Sequence, residues 1–316
     1  MDTLTLLNTT LTYTPTHTVE GKTIAYEIPP ALNDAVEVAL ALNQPLLLTG
    51  EPGTGKSGLA DKVAHDLSLL TNGQFHNKAY RFFTKSNSKS ADLFYTYDAL
   101  SHFYDINLKK EQKPEIGRYI ELNALGSAII AGMDPVQRNR VPARNVPPHN
   151  IPPNSVVLID EIDKAPADFP NDLLNEIENN CFSIKENGAA IYQVEPRHKI
   201  LIILTSNGVR ELPEPFLRRC VFFHIDFPDN EFLQLILQKH ALYDALGERA
   251  GILLEYFNEL RDICQHKKPA TAELLSWCRI VLHRNITIVE RSSLLSTLPV
   301  VVKHKTDLEV VLQKWK

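Results

Sequence analysis

The sequence contains a complete match to the phosphate-binding loop pattern G-x-x-x-x-G-K-[ST], formed by Gly50, Glu51, Pro52, Gly53, Thr54, Gly55, Lys56 and Ser57. Glycines allow successive backbone N–H groups to point into one concavity that holds phosphate oxygens. Lys56 would supply a positive charge to the β- and γ-phosphates, and the Ser57 hydroxyl is suited to ligate Mg²⁺. With Gly58 directly after the pattern, these residue types predict a binding site for a nucleoside triphosphate.

The segments on both sides of this loop predict the elements that must hold it. The apolar run 45–49 is typical of a buried parallel strand, and residues 58–67 have the spacing of an amphipathic helix. A strand that leads through a glycine loop into a helix places the helix N-terminus at the phosphates, where its dipole favours negative charge. The predicted order of strand, loop and helix therefore agrees with the chemistry of the loop.

A second candidate site lies where the apolar, β-branched segment 155–159 ends in Asp160 and Glu161. Ligands of a parallel sheet bind outside the carboxyl ends of its strands, so we expect both acids to lie beside the phosphate loop. Asp160 would then hold Mg²⁺ together with Ser57, partly through water, while Glu161 would orient and polarise the attacking water. We therefore predict that the bound nucleotide is hydrolysed.

Three polar residues further along the chain are candidates for catalysis. A buried strand pattern over 199–206 ends at Asn207, which is suited to position a water molecule but also to form a simple turn with Gly208. Arg218 and Arg219 follow a Leu-Pro-Glu segment. A cation delivered from a neighbouring chain would stabilise charge on the transferring phosphoryl group, and the alternative is a solvated helix end.

Composition indicates the class of protein in which these sites lie. The chain has 316 residues and a net charge of −5, which gives no overall basic signal for nucleic-acid binding. Its four cysteines are scattered, as is typical of reduced thiols. No apolar run approaches the ~18 residues of a membrane span, and the first residues carry an acid where a signal peptide carries bases. We expect a cytoplasmic protein.

The length predicts about two domains. We expect an α/β nucleotide-binding core over 1–228, with an extended N-terminal segment, and a helical domain over 229–316. Pro228 directly follows the last apolar strand pattern, and Asp229 is a suitable N-cap for the first of several helices.

Shorter patterns lie between these motifs. Aromatic content predicts a strand over 80–84, and two alternating runs around a turn predict a hairpin over 181–194. Apolar spacing favours helices over 90–98, 119–133 and 168–177.

Residues 133–154 form a segment dense in proline that also carries Arg138, Arg140 and Arg144. A loop of this composition is not expected to form regular structure. It is either a solvated connector or a basic surface for a partner or a central pore, and the sequence leaves both alternatives open.

The order of these motifs resembles that of the AAA+ ATPases and, within them, of the MoxR-like family. The likeness covers residues 28–282 and is most specific over 160–165 and 212–220, and the stretch 84–100 also resembles a bacterial MoxR-like subgroup. It implies an α/β P-loop NTPase core, with a parallel sheet flanked by helices, followed by a small all-helical lid domain. It also implies ATP and Mg²⁺ as cofactors and a homo-oligomeric ring, usually a hexamer, with ATP bound between neighbouring subunits.

The resemblance assigns roles to the polar residues after the acid pair. Asn207 corresponds to sensor 1, and Arg219 to the arginine finger that reaches the neighbour's γ-phosphate. Arg218 stands where the family carries an acid, so either arginine could make that contact. Where the family carries its sensor 2 arginine, this chain has Lys267 and Lys268 and no arginine, so that either a lysine substitutes for it or the sensor is absent.

The resemblance further implies a chaperone-like ATPase that remodels a protein partner, often one with a von Willebrand factor A domain. Two other classes stay open: a nucleic-acid-directed or anti-phage defence motor related to the restriction GTPases, and a small-molecule phosphotransferase. Glu161, the two arginines and the helical domain argue against the phosphotransferase. The GTP-specifying pattern N-K-x-D is incomplete at 77–80, which favours ATP over GTP.

Overall fold

The computed structural model of the chain describes residues 18–19, 22–23, 28–107 and 114–315. Its strands are β1 (Thr18–Val19), β2 (Lys22–Thr23), β3 (Leu46–Gly50), β4 (Tyr80–Phe83), β5 (Tyr95–Tyr97), β6 (Ile120–Leu122), β7 (Ser155–Asp160), β8 (Cys181–Ile184), β9 (Ala190–Gln193), β10 (Ile200–Thr205) and β11 (Val221–Ile225). The extended N-terminal segment that the sequence predicts lies largely outside the described residues.

The α-helices are α1 (Pro30–Leu42), α2 (Lys56–Leu70), α3 (Ala99–Asn107), α4 (Ala124–Ala131), α5 (Pro135–Arg138), α6 (Phe169–Asp172), α7 (Leu174–Asn179), α8 (Glu214–Leu217), α9 (Asn230–Lys239), α10 (Leu242–Leu246), α11 (Arg249–Ile263), α12 (Thr271–His283), α13 (Arg291–Leu294), α14 (Leu298–Val301) and α15 (Lys305–Trp315). Short 3₁₀ turns lie at Ser90–Leu93, Ile116–Tyr119, Ile162–Lys164, Lys185–Asn187 and Leu295–Thr297.

A five-stranded sheet with the order β11-β3-β10-β7-β4 forms the centre of the α/β part. The pairs β3–β10, β10–β7 and β7–β4 are parallel, with Ile203 opposite both Leu46 and Leu158. Strands β7 and β10 are apolar and β-branched, and they are buried along almost their whole length, as expected for strands covered on both faces. Because these strands are parallel, the residues that follow β3, β7 and β10 meet at one edge of the sheet. The predicted α/β class is confirmed.

The chain divides into two compact units. The first contains residues 28–49 and 56–224, which include strands β4 to β10 and the sheet core described above. The second contains strands β1 and β2, residues 50–55, which are the first six residues of the phosphate loop, and the C-terminal residues from 225 onward. The loop segment 50–55 therefore groups with the C-terminal part of the chain.

The second unit is a cluster of helices around a core of its own. Its largest buried side chains include Trp277 on α12 and Phe257 on α11, each fully shielded from solvent. The indole Nε1–H of Trp277 donates to Thr297 Oγ1 at 2.7 Å, so the polar atom of this core side chain is satisfied. Asp229 caps α9 by accepting from the backbone N–H of Phe232 at 2.8 Å, as the sequence predicts.

Asp307, on the first turn of α15, holds the loop that follows α11. Its carboxylate is 3% exposed and accepts from the backbone N–H groups of Gln265, His266 and Lys267 at 3.0–3.3 Å, and from His266 Nδ1 at 2.9 Å. The His266 ring stacks on His304 with centroids 4.2 Å apart. Burial alone raises the pKa of Asp307, but the hydrogen bonds from His266 and these amides outweigh it and bring the pKa to about 2.

We expect the substitution Asp307→Asn to lower the free energy of unfolding of this unit at pH 7 by about 2 kcal/mol, because hydrogen bonds to a charged acceptor are lost. The pKa of Asp307 is lower in the folded chain, so its contribution is complete above pH 4 and disappears as the pH falls toward about 2. Urea unfolding followed by tryptophan fluorescence measures this, because both tryptophans, Trp277 and Trp315, lie in this unit. The exposed Asp262→Asn serves as the control. An equal effect of Asp307→Asn at pH 3 and pH 7 would contradict the assignment.

Three predicted helices differ from the structure. Residues 90–98 form a 3₁₀ turn and strand β5, whose Tyr95 pairs with Leu122 of β6. The predicted helix over 119–133 begins with β6, so that only α4 is helical, and the helix over 168–177 is divided into α6 and α7. The predicted strand over 80–84 and the hairpin over 181–194 are confirmed by β4 and by the antiparallel pair β8–β9.

The proline-rich segment 133–154 also differs from expectation. It begins with the helical turn α5, which Asp134 caps through two backbone N–H groups. Arg138 is 3% exposed and donates to Pro148 O at 2.7 Å, so this arginine stabilises the segment rather than forming a basic surface. Arg144 pairs with Glu121, and Arg140 is exposed.

All four cysteines lie within the described part of the chain and carry free thiols. Burial raises the pKa of Cys220 and Cys278 to about 12 and contributes most to raising the pKa of Cys264 to about 11, so these thiols are protonated at neutral pH. Among the described helices, none is long and apolar enough to cross a membrane.

Candidate nucleotide-binding and hydrolysis site

The phosphate loop leaves β3 through glycines that other residues could not replace. Gly53 has φ +81°, and a Cβ atom added there would lie 2.8 Å from the Cβ of Ala270. Gly50 has φ +146°, and an added Cβ would lie 2.5 Å from the carbonyl oxygen of Ile225. Both positions combine an unusual backbone with close packing, so glycine is required for two separate reasons. Pro52 and Gly55 are exposed within the same loop.

Glu51, the second residue of the loop, is tied in two ways. Its carbonyl oxygen accepts from Thr54 Oγ1 at 2.9 Å. Its carboxylate accepts from Arg261 Nη2 of α11, also at 2.9 Å. The Arg261 guanidinium also donates to Pro269 O and lies over the ring of Phe227, 3.3 Å from the ring centroid. Arg261 therefore joins the phosphate loop to helix α11.

Helix α2 begins at Lys56, so Lys56, Ser57 and Gly58 form its first turn. Lys56 is buried, with 6% of its surface exposed. Ser57 Oγ donates to Asp160 Oδ1 at 2.7 Å, across 103 residues of sequence. This contact joins the serine of the phosphate loop to the carboxylate at the end of β7, as the sequence predicts for the two strand ends.

The carboxylate of Asp160 is also bound by the neighbouring strand. Thr205, the last residue of β10, donates from Oγ1 to Asp160 Oδ1 at 2.6 Å. The same hydroxyl accepts from the backbone N–H of Glu161 at 2.8 Å. One hydroxyl therefore fixes the side chain of the first acid and the backbone of the second.

Glu161 lies between a cation and an amide. Asn207 Nδ2 donates to Glu161 Oε1 at 3.0 Å, and Lys164 contacts Oε2. The hydrogen bond with Glu161 raises the pKa of Lys164 above its usual value. Glu161 itself has a left-handed backbone, with φ 56° and ψ 51°. The side chain of Asn207 therefore contacts the predicted catalytic acid, and a turn with Gly208 does not need this contact.

Asp163 positions the segment that carries Asn207. It is 2% exposed, and its Oδ2 accepts from the backbone N–H groups of Asn207 at 3.1 Å and Val209 at 2.8 Å. The hydrogen bonds determine where the chain turns after β10 and hence where the Asn207 amide lies.

The two candidate arginines lie at the end of α8, on the surface of the first unit. Arg218 pairs with Glu214 and its side chain is 75% exposed. Arg219 lies 3.6 Å from Glu178, measured between Nη2 and Oε2, and is 49% exposed. Neither arginine is held by a buried partner, so each guanidinium is accessible to another molecule.

The sequence assigns no role to four residues of this arrangement. Thr205 and Asp163 belong to the predicted segments, and their roles emerge only from the pairing of β7 with β10. Lys164 lies three residues after Glu161, a spacing that brings side chains together in a helical turn. Arg261 lies 210 residues from Glu51, and no local pattern connects the two residues.

A parallel sheet with a glycine loop, a buried lysine and a serine–aspartate contact at its edge defines a P-loop NTPase fold. The model of the AAA domain family, dynein-related subfamily, matches residues 45–220. The match covers more than half of the chain, so the chain belongs to this family and contains the nucleotide-hydrolysing domain of AAA+ ATPases. A search of curated protein sequences found no match to the chain.

Proposed function

We propose that this protein is a Mg²⁺-dependent, ring-forming AAA+ ATPase of the MoxR-like type, which uses ATP hydrolysis to remodel a protein partner. The observation that carries the proposal is the contact of Asn207 with Glu161, next to the contact of Ser57 with Asp160. Asn207 and Glu161 are suited to position the attacking water, and Ser57 and Asp160 are suited to bind the metal ion of the phosphates. This separation of roles is what phosphoryl transfer to water requires.

The residues present fit a magnesium ion. Ser57 and Asp160 bring a hydroxyl and a carboxylate oxygen to within 2.7 Å of each other, and oxygen atoms are the ligands that Mg²⁺ prefers. When bound there, the ion would neutralise charge on the β- and γ-phosphates. Lys56 contributes a second positive charge at the start of α2, and Glu161 accepts a proton from the water as it attacks.

Ring formation is supported by the surface position of Arg218 and Arg219. An exposed guanidinium at the end of a short helix can reach the nucleotide of a neighbouring chain, where it would stabilise charge on the transferring phosphoryl group. A monomer would then lack a catalytic group that a ring, proposed here as a hexamer, supplies at each interface. The protein partner, proposed to carry a von Willebrand factor A domain, would respond to the motions of this ring.

The proposal predicts that ATP turnover per chain rises steeply with protein concentration, because each active site needs a neighbour's arginine. Steady-state phosphate release measured over a hundredfold range of concentration, together with sedimentation in ATP and Mg²⁺, tests this. Turnover independent of concentration would contradict the ring. ADP formation without release of phosphate would instead indicate a phosphotransferase. Stimulation by DNA or RNA would support the defence motor.

A further inference from the structure

The Arg261 side chain is built into the second unit more firmly than an ordinary surface cation. Only 11% of it is exposed. It makes a 2.9 Å ion pair with Glu51, donates to the carbonyl oxygen of Pro269, and stacks 3.3 Å from the centre of the Phe227 ring. A planar guanidinium can satisfy all three contacts at once, which an ammonium group cannot.

The contacts of Arg261 converge on the segment that supports the phosphate loop. Pro269 O accepts from Arg261. The next residue, Ala270, packs closely against Gly53, and a Cβ added at Gly53 would lie 2.8 Å from the Cβ of Ala270. Glu51 is the loop residue that Arg261 binds directly, and its carbonyl oxygen accepts from Thr54. Arg261 therefore orders both the loop and the chain segment on which the loop rests.

We infer that Arg261 is a positioning residue for nucleotide binding, which acts through Glu51 to hold the phosphate loop in the conformation that receives phosphates. The inference rests on the proposed function, because the ligand is ATP. Arg261 itself is not proposed to touch the phosphates. Its effect is to reduce the number of conformations that residues 50–55 can adopt before nucleotide binds, and such preorganisation increases affinity.

A double-mutant cycle on Arg261 and Glu51 tests the inference. We expect Arg261→Met and Glu51→Gln each to raise the dissociation constant for ATP about tenfold, while turnover at saturating ATP changes little. If the two residues act as one unit, the double variant also binds about tenfold more weakly than the parent, rather than about a hundredfold. Equilibrium binding of a fluorescent ATP analogue and steady-state kinetics measure both quantities.

The chain offers a matched control in the same unit. Arg291 also pairs with a carboxylate, Glu259, at 3.0 Å and lies over an aromatic ring, Tyr256, at 5.7 Å, but none of these contacts involves the phosphate loop. Arg291→Met should therefore leave ATP binding unchanged. A general loss of helix stability would instead affect both variants.

The outcomes separate the two proposals. A parent protein that does not bind ATP contradicts the proposed function. A parent that binds ATP, with Arg261→Met and Glu51→Gln binding it equally well, contradicts only the role of Arg261. Additive effects of about a hundredfold in the double variant would show that the two residues act independently. If Arg261→Met fails to fold, Glu51→Gln still tests the contact, because it removes a charge from the loop without altering the helical core.

Discussion

Replacing Glu161 with glutamine is expected to leave ATP binding intact and to lower the rate of hydrolysis by about 10²- to 10⁴-fold. Glutamine keeps the shape of the side chain and can still contact Asn207, but it cannot accept a proton from water. A group that acts only in the transition state changes turnover without raising the dissociation constant. Steady-state phosphate release and equilibrium binding of ATP measure the two quantities in the same preparation.

Two further variants serve as comparisons for Glu161→Gln. Lys56→Ala should abolish tight ATP binding, because the lysine contacts phosphates in the ground state. Glu195→Gln, which removes the charge of a partly buried carboxylate that pairs with Arg197 at 2.6 Å, should behave like the parent. Hydrolysis at the parental rate in Glu161→Gln would show that the catalytic base is another residue.

The second large effect is expected at the arginines of α8. Arg219→Ala should keep ATP binding and lose about 10³-fold in turnover, as arginine fingers generally do. Mixing Arg219→Ala with Glu161→Gln should restore part of the activity, because some interfaces of a mixed ring then contain both an intact finger and an intact acid. Phosphate release from the mixture, compared with each variant alone, measures the restoration.

Arg218→Ala distinguishes the two candidates. Arg219→Ala with unchanged turnover, together with an inactive Arg218→Ala, would assign the finger to Arg218. Arg197→Ala, also at the surface and ion-paired, is the control for the loss of an exposed charge. Full activity in both variants would contradict hydrolysis at a subunit interface.

The elements around the site follow from local sequence because their signals are local. An apolar run precedes Gly50 and predicts the strand that leads into the glycine loop. A second apolar run precedes Asp160 and predicts the strand that ends in this acid. Parallel pairing then brings the strand ends together, and Ser57 meets Asp160 as predicted. Asn207 also contacts Glu161 in the structure, and the Asn-Gly sequence alone does not predict that contact.

The remaining features depend on partners distant in sequence. The residues of strand β5 have a spacing that is compatible with a helix. They form a strand because Tyr95 pairs with Leu122 of β6. Arg138 is charged and lies among prolines, which favours exposure, yet it is buried against a carbonyl oxygen ten residues away. Arg261 gains its role from Glu51, and only the folded chain brings the two together. Local periodicity carries no information on such pairings.

The backbone of Glu161 shows how stability and chemistry compete at one position. A left-handed conformation costs a non-glycine residue about 1–2 kcal/mol, and glycine or asparagine would adopt it more easily. Neither of those residues carries a carboxylate to the place where Asn207 and Lys164 meet it. Selection for thermal stability alone would therefore favour the replacement of this glutamate by glycine or asparagine. Such a replacement would raise the stability of the fold and remove the proposed activity.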